Sequence, residues 1–233
     1  YDCLQACTGG SNTAVGYQAG EQVTTGSENV LIGIVAGDEI TTGIQNTVIG
    51  SDALGACQTG DYNTALGKGA LQVYTGGQNT ALGRSALGSV TGSGGCTAVG
   101  YNAIQLGTGT NNTAVGHSAL DACTTGYSNT AVGQNCLGAM IANIENTGVG
   151  AGCLSGVTNG GYNTAIGFNA GSTTTGSSFN VYLGAYARGA SDVANEISIG
   201  YSATGKGSGT AYIAPGNGSQ EAYNGANSSS WAT

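Results

Sequence analysis

The sequence has one proline, one methionine and one tryptophan, and only 7% of its 233 residues are charged. Four lysines and arginines stand against twelve acidic residues, which gives a formal net charge of −8 at pH 7. So few cations leave no basic surface for a phosphate backbone, and we expect no nucleic-acid partner. No apolar run approaches the length of a membrane-spanning helix and no signal peptide opens the chain, so we expect no membrane insertion.

Glycine is abundant, with 45 residues, and it follows a frame. A motif of the type Asn-Thr-Ala-Val-Gly recurs along the chain, and its closing glycines are separated by eight intervals of 17 residues and three of 16. A fixed period this short is typical of a solenoid, in which each turn buries its apolar face by stacking on its neighbours. We predict an all-β, parallel β-solenoid of about twelve 17-residue coils. The closing glycines are Gly16, Gly33, Gly50, Gly67, Gly83, Gly100, Gly116, Gly133, Gly150, Gly167, Gly184 and Gly200.

Each repeat is numbered here from its asparagine, which makes the closing glycine position 5. Position 2 is β-branched and position 4 is aliphatic in every repeat, as in Thr113 and Val115, so positions 1–5 predict a short strand. We expect position 4 to form the core of the coil, with position 2 on the same buried face. Position 3 then lies on the opposite face.

Small residues at position 3 predict a contact between chains. A 17-residue coil is too slim to cover both faces of its own strands, and alanines let backbones approach closely near a symmetry axis. We therefore expect a homotrimer, in which the following residues form the interface: Ala14, Ala65, Ala81, Ala98, Ala114, Ala131 and Ala165.

Asparagine occupies position 1 in nearly every repeat, with Cys96 and Glu196 as exceptions. An asparagine at a corner suits a turn in the left-handed region, and stacked amides can hydrogen-bond from turn to turn. Metal or sugar binding is the alternative interpretation. The seven cysteines also follow repeat positions, which predicts buried thiols that replace alanine, while a disulfide between Cys136 and Cys153 stays open.

Catalytic groups are sparse. His117 is the only histidine and occupies a variable position that we expect to point outward. Clustered acids, metal-ligand spacings and a six-residue period are all missing, so we predict no enzyme activity, no metal and no cofactor. Exposed aromatic residues can stack on sugar rings, and the candidate receptor contacts lie in the irregular C-terminal part: Tyr182, Tyr186, Tyr212, Tyr223 and Trp231.

The repeat, as in Asn63–Gly76 and Asn112–Gly126, resembles the shaft repeats of tailed-phage tail fibres. Its strand is also similar to the Ser-Val-Ala-Ile-Gly strand of trimeric autotransporter adhesin heads, most closely at Asn29–Gly33 and Glu196–Gly200. The segment Tyr223–Thr233 resembles the stretch before the self-cleaving chaperone at the end of many phage fibres. The resemblance implies that Thr233 is a mature C-terminus, and Tyr1 suggests a piece trimmed from a longer polypeptide.

Two regions and three functions follow as expectations. Residues 1–216 form the solenoid shaft, and residues 217–233 form a polar tail. The leading function is the shaft of a virion tail fibre that presents or contributes to binding of a host-surface glycan or protein receptor. The first alternative is a bacterial extracellular adhesin or filament, which an anchor or secretion domain nearby would favour. The second is an ice-binding solenoid built on threonine columns, against which stands the expected burial of position 2.

Overall fold

The computed structural model describes residues 2–91, 94–190, 192–214 and 222–224. Described residues are all-β with no helix, and the chain winds as a β-solenoid of about 12 turns. The predicted solenoid fold is confirmed. Thirteen strands form one parallel sheet, each pairing with its neighbour in the next turn.

The sheet takes one three-residue strand from each turn. Its parallel strands are β1 (Thr13–Val15), β2 (Val30–Ile32), β3 (Thr47–Ile49), β4 (Thr64–Leu66), β5 (Thr80–Leu82), β7 (Thr97–Val99), β9 (Thr113–Val115), β10 (Thr130–Val132), β11 (Thr147–Val149), β12 (Thr164–Ile166), β13 (Val181–Leu183), β14 (Ile197–Ile199) and β15 (Ala211–Ile213). A small second sheet pairs β6 (Ser89–Val90) with β8 (Leu106–Gly107) on another side of the coil.

The register of the sheet follows the repeat. Thr113 pairs with Thr130, and Ala114 and Val115 pair with their counterparts one turn later. Identical positions therefore form continuous columns along the rod. At about 4.8 Å per turn, the eleven steps from β1 to β14 give that part of the sheet a length of roughly 50 Å.

The closing glycines are required by the close stacking of turns. Their φ angles lie between +127° and +143°, a region that side-chain-bearing residues rarely adopt. A Cβ atom on Gly33 would also lie 2.5 Å from the carbonyl oxygen of Gly50 in the next turn. Each closing glycine thus lets two turns approach to hydrogen-bonding distance.

The core of the coil is the reverse of the sequence prediction. Ala114 and Ala131 at position 3 are fully buried inside their own coil, whereas Val115 and Val132 at position 4 are exposed. The predicted interface alanines Ala65, Ala81, Ala98, Ala114, Ala131 and Ala165 are fully buried, and Ala14 in the first strand is half-buried. They pack against the coil's other columns, so in this fold they have no surface with which to meet another chain.

Part of the predicted tail adds to the sheet. Residues 222–224 form β16 (Ala222–Asn224), which pairs antiparallel with β15. The remainder of the predicted 217–233 tail lies outside the described residues.

Candidate interaction surface

The most distinctive surface of the molecule is one face of the parallel sheet. The side chains at positions 2 and 4 of every turn point to this face, which we call the strand face. It runs the length of the sheet, and no charged residue occurs in it. Position 2 contributes Thr13, Val30, Thr47, Thr64, Thr80, Thr97, Thr113, Thr130, Thr147, Thr164, Val181 and Ile197, and position 4 contributes Val15, Ile32, Ile49, Leu66, Leu82, Val99, Val115, Val132, Val149, Ile166, Leu183 and Ile199.

The apolar side chains of the strand face remain accessible in the single chain. Leu82 is 43% exposed and Val132 36% exposed, and no side chain at position 2 or 4 is buried. Monomeric soluble proteins rarely expose contiguous apolar patches of more than a few hundred Å². The three-residue strands span about 10 Å, so a sheet about 50 Å long presents roughly 500 Å² on this face. The strand face therefore has the chemistry of an interface, and the columns beside it add to its width.

Two columns that are mostly exposed border the strand face. The residue before each asparagine forms the leading edge, which contains Ser11, Glu28, Gln45, Tyr62, Gln78, Gly95, Asn111, Ser128, Glu145, Tyr162, Phe179 and Asn195. Position 6 forms the trailing edge, which contains Tyr17, Ile34, Ser51, Lys68, Arg84, Tyr101, His117, Gln134, Ala151, Phe168, Ala185 and Tyr201.

Cations and rings stack along the middle of the trailing edge. The Arg84 guanidinium lies 5.6 Å from the centroid of the Tyr101 ring, which stacks on His117 at 5.3 Å. His117 is exposed, as predicted from the variability of its position. These contacts join adjacent turns, so they account for the cluster as packing along the rod.

The asparagine column is an internal ladder. In the turn of Asn29, the side-chain oxygen accepts from the backbone N–H of Asn46 at 3.0 Å and from its side-chain amide at 3.1 Å, while its own amide donates to Gly43 O at 2.8 Å. The predicted turn-to-turn amide bonding is confirmed. Positive φ angles, however, belong to the preceding residues, such as Glu28 and Gln45, so the left-handed expectation for the asparagines was wrong.

Burial assigns the asparagines a structural role. Asn29 is inaccessible to solvent, and its polar atoms are used by the neighbouring turns. Glu196 takes the same position near the end of the ladder, where its carboxylate accepts from the backbone N–H groups of Gly207 and Ala190. Because the side-chain amides of this column hydrogen-bond to neighbouring turns, they are not available to bind a metal or a sugar.

Several predicted receptor residues lie in the core. Tyr182 is fully buried, and its hydroxyl oxygen accepts from the Thr174 hydroxyl at 3.1 Å, while Tyr212 is 3% exposed. Burial removes both tyrosines from the predicted receptor contacts. Tyr186 is exposed. The side chain of Tyr223, and Trp231 as a whole, lie outside what the structure describes.

All seven cysteines are free thiols, and those from Cys57 onward are buried. Burial raises the pKa of Cys123 to about 11, which keeps it protonated and unreactive. A hydrogen bond between Cys136 and Cys153 raises the pKa of the first and lowers that of the second. The predicted role as buried replacements for alanine is confirmed for these two.

Among the described residues, no group of three or more His, Cys, Asp or Glu side chains is arranged to hold a metal ion, and no helix could cross a membrane. Comparison with protein-family models, with curated proteins and with solved structures finds no match to this chain.

Proposed function

We propose that this chain is a structural fibre shaft that assembles as a homotrimer through its strand face. The observation that carries the proposal is the uncharged sheet face, whose aliphatic column at position 4 stays accessible along the whole solenoid. Covering it removes apolar surface from water. The strand face and its two edge columns together measure roughly 20 Å by 50 Å at strand dimensions, which is enough for the roughly 800 Å² per partner of a standard protein interface. The strand face takes the interface role first assigned to the position 3 alanines.

A shaft role fits the rest of the molecule. The continuous hydrogen-bond ladders of the sheet and of the asparagines resist extension along the rod. Because every turn repeats one short motif, the rod can be long without any new structural element. The repeat's resemblance to tail-fibre shafts supports a virion fibre that presents or contributes to host-receptor binding. A bacterial extracellular adhesin would use the same trimeric shaft, and the proposed location is a virion or a cell surface.

The test uses charges placed on the strand face. In the variant Val132→Glu/Val149→Glu, both substituted side chains are exposed in the single chain, so the coil should fold with an unchanged circular dichroism spectrum. Self-association should be lost because carboxylates would be buried without partners. Thr125→Glu, at an exposed turn away from the strand face, is the control. A native mass that is unchanged in the double variant would overturn the proposal.

Ice binding is a second candidate, favoured by one observation. The threonines at position 2 are not buried, which removes the objection that position 2 shares a buried core. A second threonine column is also accessible, and its hydroxyls donate along the rod, as from Thr24 Oγ1 to Thr41 O at 3.0 Å. Thermal hysteresis in the purified protein, lost in Thr130→Glu/Thr147→Glu, would move this function ahead of the shaft.

A further inference from the structure

The strand face by itself fixes neither the direction nor the register of a partner. Most of its turns present the same pair, threonine at position 2 and a valine, leucine or isoleucine at position 4. Sliding one copy by one turn would leave every turn except those at the two ends against an equivalent surface. Repeated strands of this kind are prone to slipped pairings unless another feature specifies the register.

Aromatic residues break this uniformity at one end. On the leading edge, Tyr162 and Phe179 stack with centroids 4.8 Å apart and an interplanar angle of 6°. Phe168 and Tyr201 on the trailing edge each meet the ring of Tyr186 edge to face, at 5.3 Å and 6.0 Å. Tyr186 directly follows the trailing-edge residue Ala185. We call these five residues the aromatic collar.

All five rings of the collar are accessible in the single chain. Their exposed fractions range from 43% for Tyr162 to 65% for Tyr201. They flank three consecutive strands, β12 to β14, and on β13 and β14 both strand-face positions are apolar: Val181, Leu183, Ile197 and Ile199. The collar therefore extends the accessible apolar surface on both sides of the strand face at β12 and β13, and on one side at β14.

We propose that the aromatic collar aligns copies of this chain parallel and in register, with the leading edge of one copy beside the trailing edge of the next. This inference rests on the proposed self-association through the strand face. In a closed ring of parallel rods, symmetry places equal turns at equal heights. Tyr162 of one copy then meets Phe168 of the next, and Phe179 meets Tyr186.

An antiparallel pair would place the collar against unlike surface. Each edge would then meet the same edge of the other copy at the opposite end of the rod. Phe179 would face the level of Glu28, and Tyr162 the level of Gln45. Such contacts bury rings against polar groups, whereas the parallel arrangement pairs rings with rings, which stabilises the contact beyond the burial of surface area.

The same alignment suits the charges on the edges. In register, the trailing-edge cations Lys68 and Arg84 meet Tyr62 and Gln78 of the leading edge, and Glu145 meets Ala151. No like charges come together, and a tyrosine beside a lysine allows a cation–π contact. The charges on the edges are therefore compatible with the arrangement that the collar specifies.

Disulfide cross-linking tests the alignment directly. We would introduce Ser128→Cys on the leading edge and Gln134→Cys on the trailing edge of the same turn, in a Cys3→Ala/Cys7→Ser background that removes the two native thiols that are not fully buried. Within one chain the two positions flank the strand and lie roughly 15–20 Å apart at about 3.3 Å per extended residue. A link can therefore form only between copies.

The proposal expects covalent trimers on a non-reducing gel from this double variant after mild oxidation by oxidised glutathione. Pairing Ser128→Cys with His117→Cys or Ala151→Cys, one turn away on either side, should link at least fivefold less. If light scattering shows an oligomer but the cysteines at the matched turn cross-link no better than those at neighbouring turns, the alignment is wrong and the proposed function still holds. A monomer would overturn both.

Removing half of the collar tests its part in the alignment. Tyr162→Ser/Phe179→Ser should leave the native mass unchanged and raise the off-register share of links by about two- to tenfold for each ring pair that the substitutions remove. Tyr127→Ser removes an exposed ring that lies off the strand face and should change nothing. An equal off-register share of links in the two variants would show that the collar does not set the register.

Discussion

The ring of Tyr182 occupies the space that a side chain at Gly171 would need. A Cβ atom on Gly171 would lie 2.6 Å from Cδ2 of Tyr182. One turn earlier, the equivalent positions hold Ala165 and Leu154, so the large and small residues are exchanged. Leu31 repeats the relationship near the other end, where a Cβ on Gly37 would lie 2.9 Å from its Cδ2. At both places a glycine at position 9 leaves room for a large side chain at position 3 of the same turn or of the next one.

Exchanging the large and the small residue between positions 182 and 171 should therefore restore the stability that each substitution alone removes. Tyr182→Ala should destabilise the protein by about 3–5 kcal/mol through the cavity it leaves, and Gly171→Leu should destabilise it through overpacking. Combining both with Thr174→Val, which removes the hydroxyl partner of Tyr182, recreates the Ala165, Leu154 and Val157 set of the preceding turn.

Urea unfolding of the natural chain, the three single variants and the triple variant measures the coupling between these positions. We expect the triple variant to recover more than half of the summed losses of the single variants. Additive losses would show that the two positions do not share one volume.

The sequence predicts the period, the strands and the asparagine ladder because each depends on local chemistry repeated in place. It does not predict which strand face is inside. Alternation of side chains along a strand shows that Thr113 and Val115 share a face, but alanine and valine are both apolar enough to be buried. The space inside the coil determines which face is buried, because Leu120 and the other leucines at position 9 already fill it and leave room only for alanine beside them.

Ala131 and Val132 therefore predict opposite responses to the same change. Ala131→Glu places a carboxylate in a packed core and should prevent folding of the coil, seen as loss of the β-type circular dichroism signal. Val132→Glu should keep that signal. Retention of the fold in Ala131→Glu would show that position 3 faces outward after all.

For a related reason, the prediction was wrong for two of the five receptor residues, Tyr182 and Tyr212. Tyrosine count and irregular sequence suggested an exposed C-terminal cluster, but Tyr182 and Tyr212 occupy position 3 and follow the core column. Phe168 and Phe179 were not among the candidate receptor contacts, although their spacing of two residues from the strands places them on the edges of the strand face. The repeat position of each ring is the signal that identifies them.

Cys96 interrupts the asparagine ladder, and Cys96→Asn should repair it. The Cys96 backbone N–H donates to Asn79 Oδ1 at 2.9 Å, and its sulfur takes the place of an amide facing the next turn. Burial raises the pKa of this thiol, so it stays neutral and offers only weak hydrogen bonds. We expect a gain of about 0.5–1.5 kcal/mol in unfolding free energy, against a loss for Cys96→Ala. An asparagine variant less stable than the alanine variant would contradict the ladder's role.

Asp192 predicts a specific loss of stability in acid. The Thr175 hydroxyl and the backbone N–H of Gly176 donate to its carboxylate and lower its pKa from 3.8 to about 2. Because the folded-state pKa is depressed, the stabilisation is present above the unfolded value and is lost as the pH falls from about 4 through 2. Asp192→Asn should therefore be less stable than the natural chain at pH 7, and the difference should shrink across that window in thermal unfolding. A difference that is constant with pH would contradict the assignment.

The native mass of the unmodified chain, measured by multi-angle light scattering at several concentrations, tests the central claim that the strand face is covered by other copies. The account predicts a single species of three times the 22.6 kDa chain mass that persists on dilution. A stable, soluble monomer of 22.6 kDa would contradict it, because the strand face would then be exposed to water along its whole length.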